Sequence, residues 1–131
     1  MKTSAKPSQV RVGIVGPCTA GKSTLIANMP KIQGLELRHI AQEHSYVQSM
    51  WEKISHPDWL VFLDVSYPVS LQRKNLDWTE AEWLEQQRRL AHAREHADLY
   101  LQTDDMTIEQ VAERVIAFLQ KSGLWQNPPN D

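Results

Sequence analysis

The stretch Gly16-Pro17-Cys18-Thr19-Ala20-Gly21-Lys22-Ser23-Thr24 decides the fold of this chain. It fits the pattern G-x-x-x-x-G-K-[ST], a glycine-rich loop whose backbone N–H groups surround a phosphate. The apolar run at residues 10–15 before it predicts a buried strand, and the run at 25–29 after it predicts a helix. Strand, loop and helix in this order are the context that phosphate binding requires, because the helix N-terminus adds unpaired donors.

Each position of this loop has an expected role in holding a nucleotide. The residues expected to bind the nucleotide are Gly16, Thr19, Ala20, Gly21, Lys22, Ser23 and Thr24. Lys22 is expected to act on the outer phosphates as a catalytic cation, and the Ser23 hydroxyl to bind Mg²⁺. We interpret Cys18 as a small spacer in the loop, the alternative being a reactive thiol.

The composition indicates one domain, with neither nucleic acid nor a membrane as a partner. The 131 residues predict a single domain over 1–125, with flexible tails at 1–8 and 126–131. A net charge of −2 gives no general attraction to nucleic acid or to an acidic membrane, and no apolar run is long enough for a membrane span. One cysteine and a polar N-terminus without a signal-peptide pattern favour a cytoplasmic protein.

Hydrophobic patterns predict strands that alternate with helices. The expected strands cover residues 10–15, 35–41, 59–65 and 98–102. Capping boxes predict helix starts at Ser45 with Gln48, Thr79 with Glu82, and Thr107 with Gln110. Alternation of this kind is typical of an α/β fold with three layers, a mostly parallel sheet of about four strands and right-handed crossovers.

The predicted helices carry apolar faces that should pack on the sheet. A short helix is expected from Pro68 to about Asn75, and a long one from Thr79 to about His96. The residues expected to face the core are Val47, Met50, Trp51 and Ile54 in the helix that starts at Ser45, and Ile108, Val111, Ala112, Val115 and Leu119 in the last helix.

Two carboxylates are candidates for catalysis at the carboxyl ends of the strands. In parallel sheets ligands bind at this edge, which should gather the loop, 42–44, Asp64 and 103–105. Asp64 ends an apolar strand and is expected to organise Mg²⁺ together with Ser23, while Glu43 is the second candidate. Either carboxylate could hold a metal-bound water or take a proton from an acceptor hydroxyl, the alternative being a cap on the following turn.

Basic residues between the third and fourth strands form a candidate lid. Arg73 and Arg88 are the arginines best placed to stabilise charge during phosphoryl transfer. The alternative is a solvated helix whose arginines pair with Glu85 and Glu95. His92 and His96 have a spacing compatible with metal ligation, but no third ligand accompanies them in sequence.

The phosphate loop, residues 57–66 and residues 97–103 together resemble one group within the P-loop NTPase superfamily. The chain is similar to small-molecule P-loop kinases, the nucleoside-monophosphate, thymidylate and shikimate kinase-like enzymes. The resemblance implies ATP and Mg²⁺ as cofactors, lid arginines such as Arg73, and a strand-end aspartate at Asp64 that is not always a direct Mg²⁺ ligand. The region between the first helix and the apolar strand is shorter than in that group, which carries an acceptor-binding helical insertion there.

The sequence leaves three functions open. Guanine-recognition motifs are absent from the sequence, which favours ATP over GTP. The first function is an ATP- and Mg²⁺-dependent phosphotransferase of compact kinase-like form, with a small molecule as phosphate acceptor. The second is a nucleotide-binding switch or weak ATPase whose bound state is read by a protein partner through residues 42–46. A relative that binds nucleotide without turnover is a further alternative.

Overall fold

The computed structural model describes residues 10–73 and 77–123, which form an α/β fold. The elements in chain order are β1 (Val10–Val15), α1 (Lys22–Asn28), β2 (Leu35–His39), a 3-10 turn (Gln42–His44), α2 (Met50–Ser55), β3 (Trp59–Asp64), α3 (Tyr67–Arg73), α4 (Glu80–Arg89), α5 (Ala91–His96), β4 (Leu99–Gln102) and α6 (Ile108–Lys121). The tails predicted at 1–8 and 126–131, and the helix end predicted near Asn75, lie outside the described residues.

The four described strands form one parallel sheet in the order β2-β1-β3-β4. β1 lies in the middle, where Gly13 is opposite Arg38 of β2 and Leu60 of β3. β4 pairs with the outer side of β3, from Val61 opposite Leu99 to Asp64 opposite Gln102. This confirms the predicted parallel sheet, and all four carboxyl ends therefore lie at one edge.

Apolar side chains cover both faces of the sheet. On one face, Ile14 and Leu63 pack with Leu25 of α1 and with Val115 and Leu119 of α6. On the other face, Leu60 and Phe62 pack with Trp51 of α2, with Ala93 of α5 and with Leu90, which lies between α4 and α5. Helices on both faces are compatible with the expected three layers. Phe62 is fully buried, and we expect its truncation to alanine to cost about 3–5 kcal/mol.

Two of the three predicted capping boxes are present. Before α4, the Thr79 hydroxyl accepts from the Glu82 N–H at 3.2 Å, and Glu82 Oε1 accepts from the Thr79 N–H at 2.8 Å. The same reciprocal pair joins Thr107 and Gln110 before α6. Each pair satisfies two backbone groups that have no partner within the helix, so these two helix starts are fixed locally.

The third box, at Ser45 and Gln48, was wrongly predicted. Helix α2 begins only at Met50. The Gln48 side chain instead donates to the Arg88 carbonyl at 2.6 Å and accepts from the His92 N–H at 3.1 Å. The Gln48 side chain, which the local pattern assigned to a helix cap, therefore forms long-range hydrogen bonds to α4 and α5 instead.

This change alters which side chains reach the core. Trp51 is buried, but Val47 and Ile54 are 52% and 68% exposed, so their predicted burial was wrong.

The long helix predicted over 79–96 is divided into α4 and α5 at Leu90, whose side chain is fully buried. Ile108, also predicted in the core, is 47% exposed. Among the described residues, no helix combines the length and the apolar character needed to cross a membrane.

Candidate functional site

The loop between β1 and α1 has a backbone that tightly constrains its residues. Gly16 has φ 153°, and a Cβ there would lie 1.9 Å from the Leu63 carbonyl oxygen. Gly21, directly before α1, has φ 102°, and Thr19 has φ 67° although it is not glycine. Side-chain-bearing residues avoid such angles, so the left-handed conformation at Thr19 marks a loop held in place by its surroundings.

Lys22 lies within the curve of this loop and is buried. Its Nζ donates to the carbonyl oxygens of Gly16 at 2.6 Å and Pro17 at 3.0 Å. It also forms an ion pair with Glu43 Oε2 at 3.0 Å, in which both side chains are at most 5% exposed. A buried ammonium group requires such pairing. The loop thus holds a fixed positive charge beside its own backbone.

Glu43 reaches Lys22 from the 3-10 turn that follows β2. Its second oxygen, Oε1, is buried and has no hydrogen-bond partner among the described residues. The Nε2 atom of the exposed His44 ring lies 3.7 Å from Oε2. A buried carboxylate oxygen without a partner is costly to the fold, and it suits a group that accepts protons or binds cations.

A cavity of about 550 Å³ opens beside the loop. Its polar wall contains residues 18–24 of the loop together with His39, Glu43, Arg73 and Thr103. Its apolar wall contains Leu25, Met106, Ile108 and Val111. The volume lies within the range of about 300–1,000 Å³ that is usual for small-molecule sites. Desolvation lowers the pKa of His39, and the Lys22 ammonium group lowers it further.

Arg73 brings a second cation to the same cavity. From the end of α3, its Nη1 donates to the Thr19 carbonyl and to the Thr103 hydroxyl, both at 3.0 Å. Its Nη2 donates to the Thr103 carbonyl. The guanidinium group therefore connects the loop between β1 and α1 to the loop after β4. Arg73 lines the cavity together with Lys22, Ser23 and Glu43.

Asp64 lies at the expected sheet edge but does not line this cavity. Its Oδ1 accepts from the Val65 N–H at 2.9 Å and Gln87 Nε2 at 3.1 Å. Its Oδ2 accepts from Arg94 Nη2 at 3.0 Å and the Tyr100 hydroxyl at 2.5 Å. Both oxygens are thus engaged by protein donors. Desolvation raises the pKa of Tyr100 to about 12, and the bond to Asp64 contributes to the shift.

Arg88 also lies away from the cavity. Its side chain is 68% exposed and pairs with Glu85 on the same helix. This is the solvated arrangement that the sequence left open as the alternative to a lid arginine. Of the two arginine candidates, the structure brings only Arg73 to the loop.

Helix α4 supplies contacts to the loop that sequence reasoning missed. Gln86 Oε1 accepts from the Cys18 N–H at 3.0 Å, and its Nε2 donates to the Cys18 Sγ at 3.2 Å. Arg89 donates to the Glu43 carbonyl at 3.3 Å and lies over the Tyr46 ring. Nothing distinguishes Gln86 or Arg89 in sequence from other polar residues of a solvated helix.

The arrangement as a whole suits an anionic ligand with an apolar portion. Lys22 and Arg73 bring two cations to the cavity, Ser23 lines it as well, and Leu25, Met106, Ile108 and Val111 supply apolar lining. In comparisons with known proteins, the sequence matches no protein-family model, and no curated protein is significantly similar to it.

Proposed function

We propose that this chain is a P-loop protein of the three-layer NTPase type that binds ATP and Mg²⁺ and transfers a phosphoryl group to a small molecule. The observation that supports it best is the position of Lys22. Its buried ammonium group is held by two carbonyls of the loop itself, within a cavity lined by residues 18–24. A phosphate chain that enters the loop would replace these two neutral carbonyl contacts with stronger, charge-assisted hydrogen bonds.

Charge and shape of the cavity favour a nucleotide over a simple anion. Lys22 and Arg73 supply positive charge where the outer phosphates would lie. Met106, Ile108 and Val111 give the cavity an apolar wall on which a base could pack. The absence of guanine-recognition motifs makes adenine the preferred base.

The residues present fit Mg²⁺, with one change from the sequence expectation. Ser23 is exposed and lines the cavity, and Glu43 has a carboxylate oxygen without a partner in the described part of the chain. Asp64 already accepts from four protein donors. We therefore assign Mg²⁺ to Ser23 and Glu43 and leave Asp64 out of the ligand set. When bound with the phosphates, Mg²⁺ neutralises charge that develops on them.

The remaining chemistry belongs to the side chains. An acceptor hydroxyl attacks the γ-phosphorus, the bond to the β–γ bridging oxygen breaks, and ADP leaves with that oxygen. Glu43 is positioned to take the proton of the attacking hydroxyl. Lys22 and Arg73 stabilise the negative charge spread over the transferred group. Such a reaction requires a supply of ATP, and the single cysteine suits a reducing compartment, so we propose the cytoplasm as its setting.

A screen for phosphate acceptors tests this assignment. Purified protein, ATP and Mg²⁺ are combined with a panel of small hydroxyl- and phosphate-bearing metabolites, and ADP release is followed by a coupled assay. The proposal predicts that at least one acceptor raises the rate of ADP release, and that Arg73→Ala lowers this stimulated rate more than it lowers ATP affinity. ATP binding without acceptor stimulation would contradict the phosphotransferase assignment and leave nucleotide binding standing.

A second candidate function, the nucleotide switch, has its own supporting observation. Glu43, which pairs with Lys22, is connected through Arg89 to Tyr46, a side chain 83% exposed to solvent. A change at Lys22 could reach the surface through these contacts, where a protein partner would read it. Slow ATP hydrolysis that no acceptor accelerates, together with protease sensitivity at 44–48 that differs between ATP and ADP, would favour the switch.

A further inference from the structure

Three metal-ligating side chains come together beside the phosphate loop. Cys18, Glu43 and His44 each offer one ligand atom, and these atoms all lie within 4.8 Å of one another. They belong to two separate segments, the loop after β1 and the 3-10 turn after β2. Their proximity is therefore a product of the tertiary fold, and the sequence spacing gives no indication of it.

Glu43 supplies an independent reason to expect a ligand here. The residue is 3% exposed, and its Oε1 has no hydrogen-bond partner among the described residues. Buried polar atoms in native proteins nearly always have a partner, supplied by protein, water or an ion. A cation bound between the three side chains would provide one.

We propose that Cys18, Glu43 and His44 form a binding site for a thiophilic divalent cation of the Zn²⁺ class. A thiolate, an imidazole and a carboxylate are ligands that Zn²⁺ accepts, whereas Mg²⁺ strongly prefers oxygen. Three protein ligands leave a fourth position of a tetrahedral ion open. Cys18 and Glu43 also line the cavity, and Glu43 is the carboxylate assigned to Mg²⁺ above, so the two metal positions share this residue and differ in their other ligands.

The geometry requires only a modest contraction. Zinc bond lengths of about 2.0–2.3 Å and tetrahedral angles place ligand atoms roughly 3.3–3.6 Å apart. The His44 side chain is 61% exposed and can rotate toward the other two. Cys18 is held on its backbone N–H and its sulfur by Gln86, which fixes the thiol in place.

Charge near the site sets how tightly a cation binds. Binding deprotonates the Cys18 thiol and releases its proton to solvent, so the ligands carry a thiolate and a carboxylate. The Lys22 ammonium group, 3.0 Å from Glu43 Oε2, opposes a second cation. Removing that ammonium group should therefore strengthen binding of a cation beside Glu43.

Titration with Co²⁺ in the absence of nucleotide tests the site. A thiolate-to-cobalt charge-transfer band reports on Cys18 alone, because the chain has one cysteine. The titration uses the full chain carrying His96→Gln, so that the neighbouring His92 and His96 rings, 4.3 Å apart, do not bind metal together. The proposal predicts a band that saturates at equimolar Co²⁺, disappears on addition of Zn²⁺ and persists in excess Mg²⁺.

Two further variants in the same background show whether the proposed ligands hold the ion. His44→Asn should weaken Co²⁺ binding on the order of 100-fold. The matched control is His56→Asn, an exposed histidine with φ 47°, a conformation that asparagine tolerates; it should leave the affinity unchanged. Lys22→Met should tighten binding roughly tenfold, since it removes the opposing charge.

The outcomes that would overturn the proposal are equally definite. They are the absence of a thiolate band, equal affinities in His44→Asn and His56→Asn, or binding that Lys22→Met leaves unchanged or weakens. Because the titration contains no nucleotide, its failure does not affect the ATP assignment, and a failure of ATP binding does not affect the metal site.

Discussion

Two buried carboxylates at the carboxyl edge of the sheet, Glu43 after β2 and Asp64 at the end of β3, have opposite surroundings. Glu43 forms an ion pair with Lys22 beside the loop between β1 and α1, and one of its oxygens has no partner among the described residues. Asp64 accepts from Val65, Gln87, Arg94 and Tyr100, and both of its oxygens are occupied. The contrast separates a carboxylate available for chemistry from one that holds the fold together.

The direction of each side chain explains the difference. Side chains alternate along a strand, so Asp64 shares its face with Leu60 and Phe62, which pack toward α5. Glu43 lies beyond the end of β2 in a turn, where the backbone directs it toward Lys22. Position at the carboxyl edge is therefore insufficient to identify a catalytic residue, because the face on which its side chain lies decides what it touches.

The largest effect is expected from Asp64→Ala. The change leaves Arg94 and Tyr100 without their shared acceptor, and we expect the free energy of unfolding to fall by about 3 kcal/mol. Chemical denaturation measures this loss, with the exposed Asp105→Ala as a control that should change stability by less than about 0.5 kcal/mol. Loss of Mg²⁺-dependent ATP binding in a folded Asp64→Ala protein would instead support the metal role predicted from sequence.

Glu43→Gln should show the reverse pattern. Glu43→Gln removes the carboxylate to which the proton transfer is assigned, so we expect ATP turnover to fall on the order of 100-fold while ATP affinity changes less than about tenfold. Steady-state kinetics and calorimetry measure the two quantities. Glu36→Gln on β2, a residue paired with Arg11 and distant from the loop, serves as the control. Unchanged turnover in Glu43→Gln would remove Glu43 from the mechanism.

The two arginines give a smaller, paired prediction. Arg73 lines the cavity and connects Thr19 to Thr103, whereas Arg88 is exposed and pairs with Glu85. Arg73→Ala should lower kcat roughly tenfold to thirtyfold and raise KM for ATP less, since its charge acts on the transferred phosphate. Arg88→Ala should leave both within about twofold. Equal losses in the two variants would contradict the placement of Arg73 as the cavity arginine.

The smallest expected effect concerns alkaline stability. The pKa of Tyr100 is raised from 10.0 to about 12, so the neutral hydroxyl is favoured in the folded state. Its stabilising contribution is present below pH 10 and is lost as the pH rises through about 12. Solvent screening limits it to below about 1 kcal/mol, because Tyr100 is 45% exposed. Tyr100→Phe should therefore flatten the alkaline fall in Tm, while the exposed Tyr46→Phe should not.

The sequence predicted the fold well where local signals agree with the tertiary structure. The parallel sheet follows from the apolar runs, and the boxes at Thr79 and Thr107 form because each involves only its own helix start. The box at Ser45 failed because Gln48 bonds to the distant Arg88 and His92. A local sequence pattern does not reveal a hydrogen-bond partner that belongs to another helix.

The candidate site was predictable only in part, for a related physical reason. The loop motif located the cavity, and Lys22, Ser23, Glu43 and Arg73 line it. The sequence does not indicate on which face of the sheet the Asp64 side chain lies, because a strand that is buried on both faces shows no alternation of apolar and polar residues. Two other features depend on contacts between separate segments of the chain. They are the hydrogen bonds between Gln86 and Cys18 and the proximity of Cys18 to His44.

Calorimetric titration of MgATP into the wild-type chain and into Lys22→Ala tests the central claim most directly. Lys53→Ala, an exposed lysine on α2, provides the control for loss of a positive charge. The account predicts that ATP binds the wild-type and Lys53→Ala proteins alike, and that Lys22→Ala weakens binding on the order of 100-fold while remaining folded. Equal ATP affinity in all three proteins, or no binding to the wild type, would contradict it.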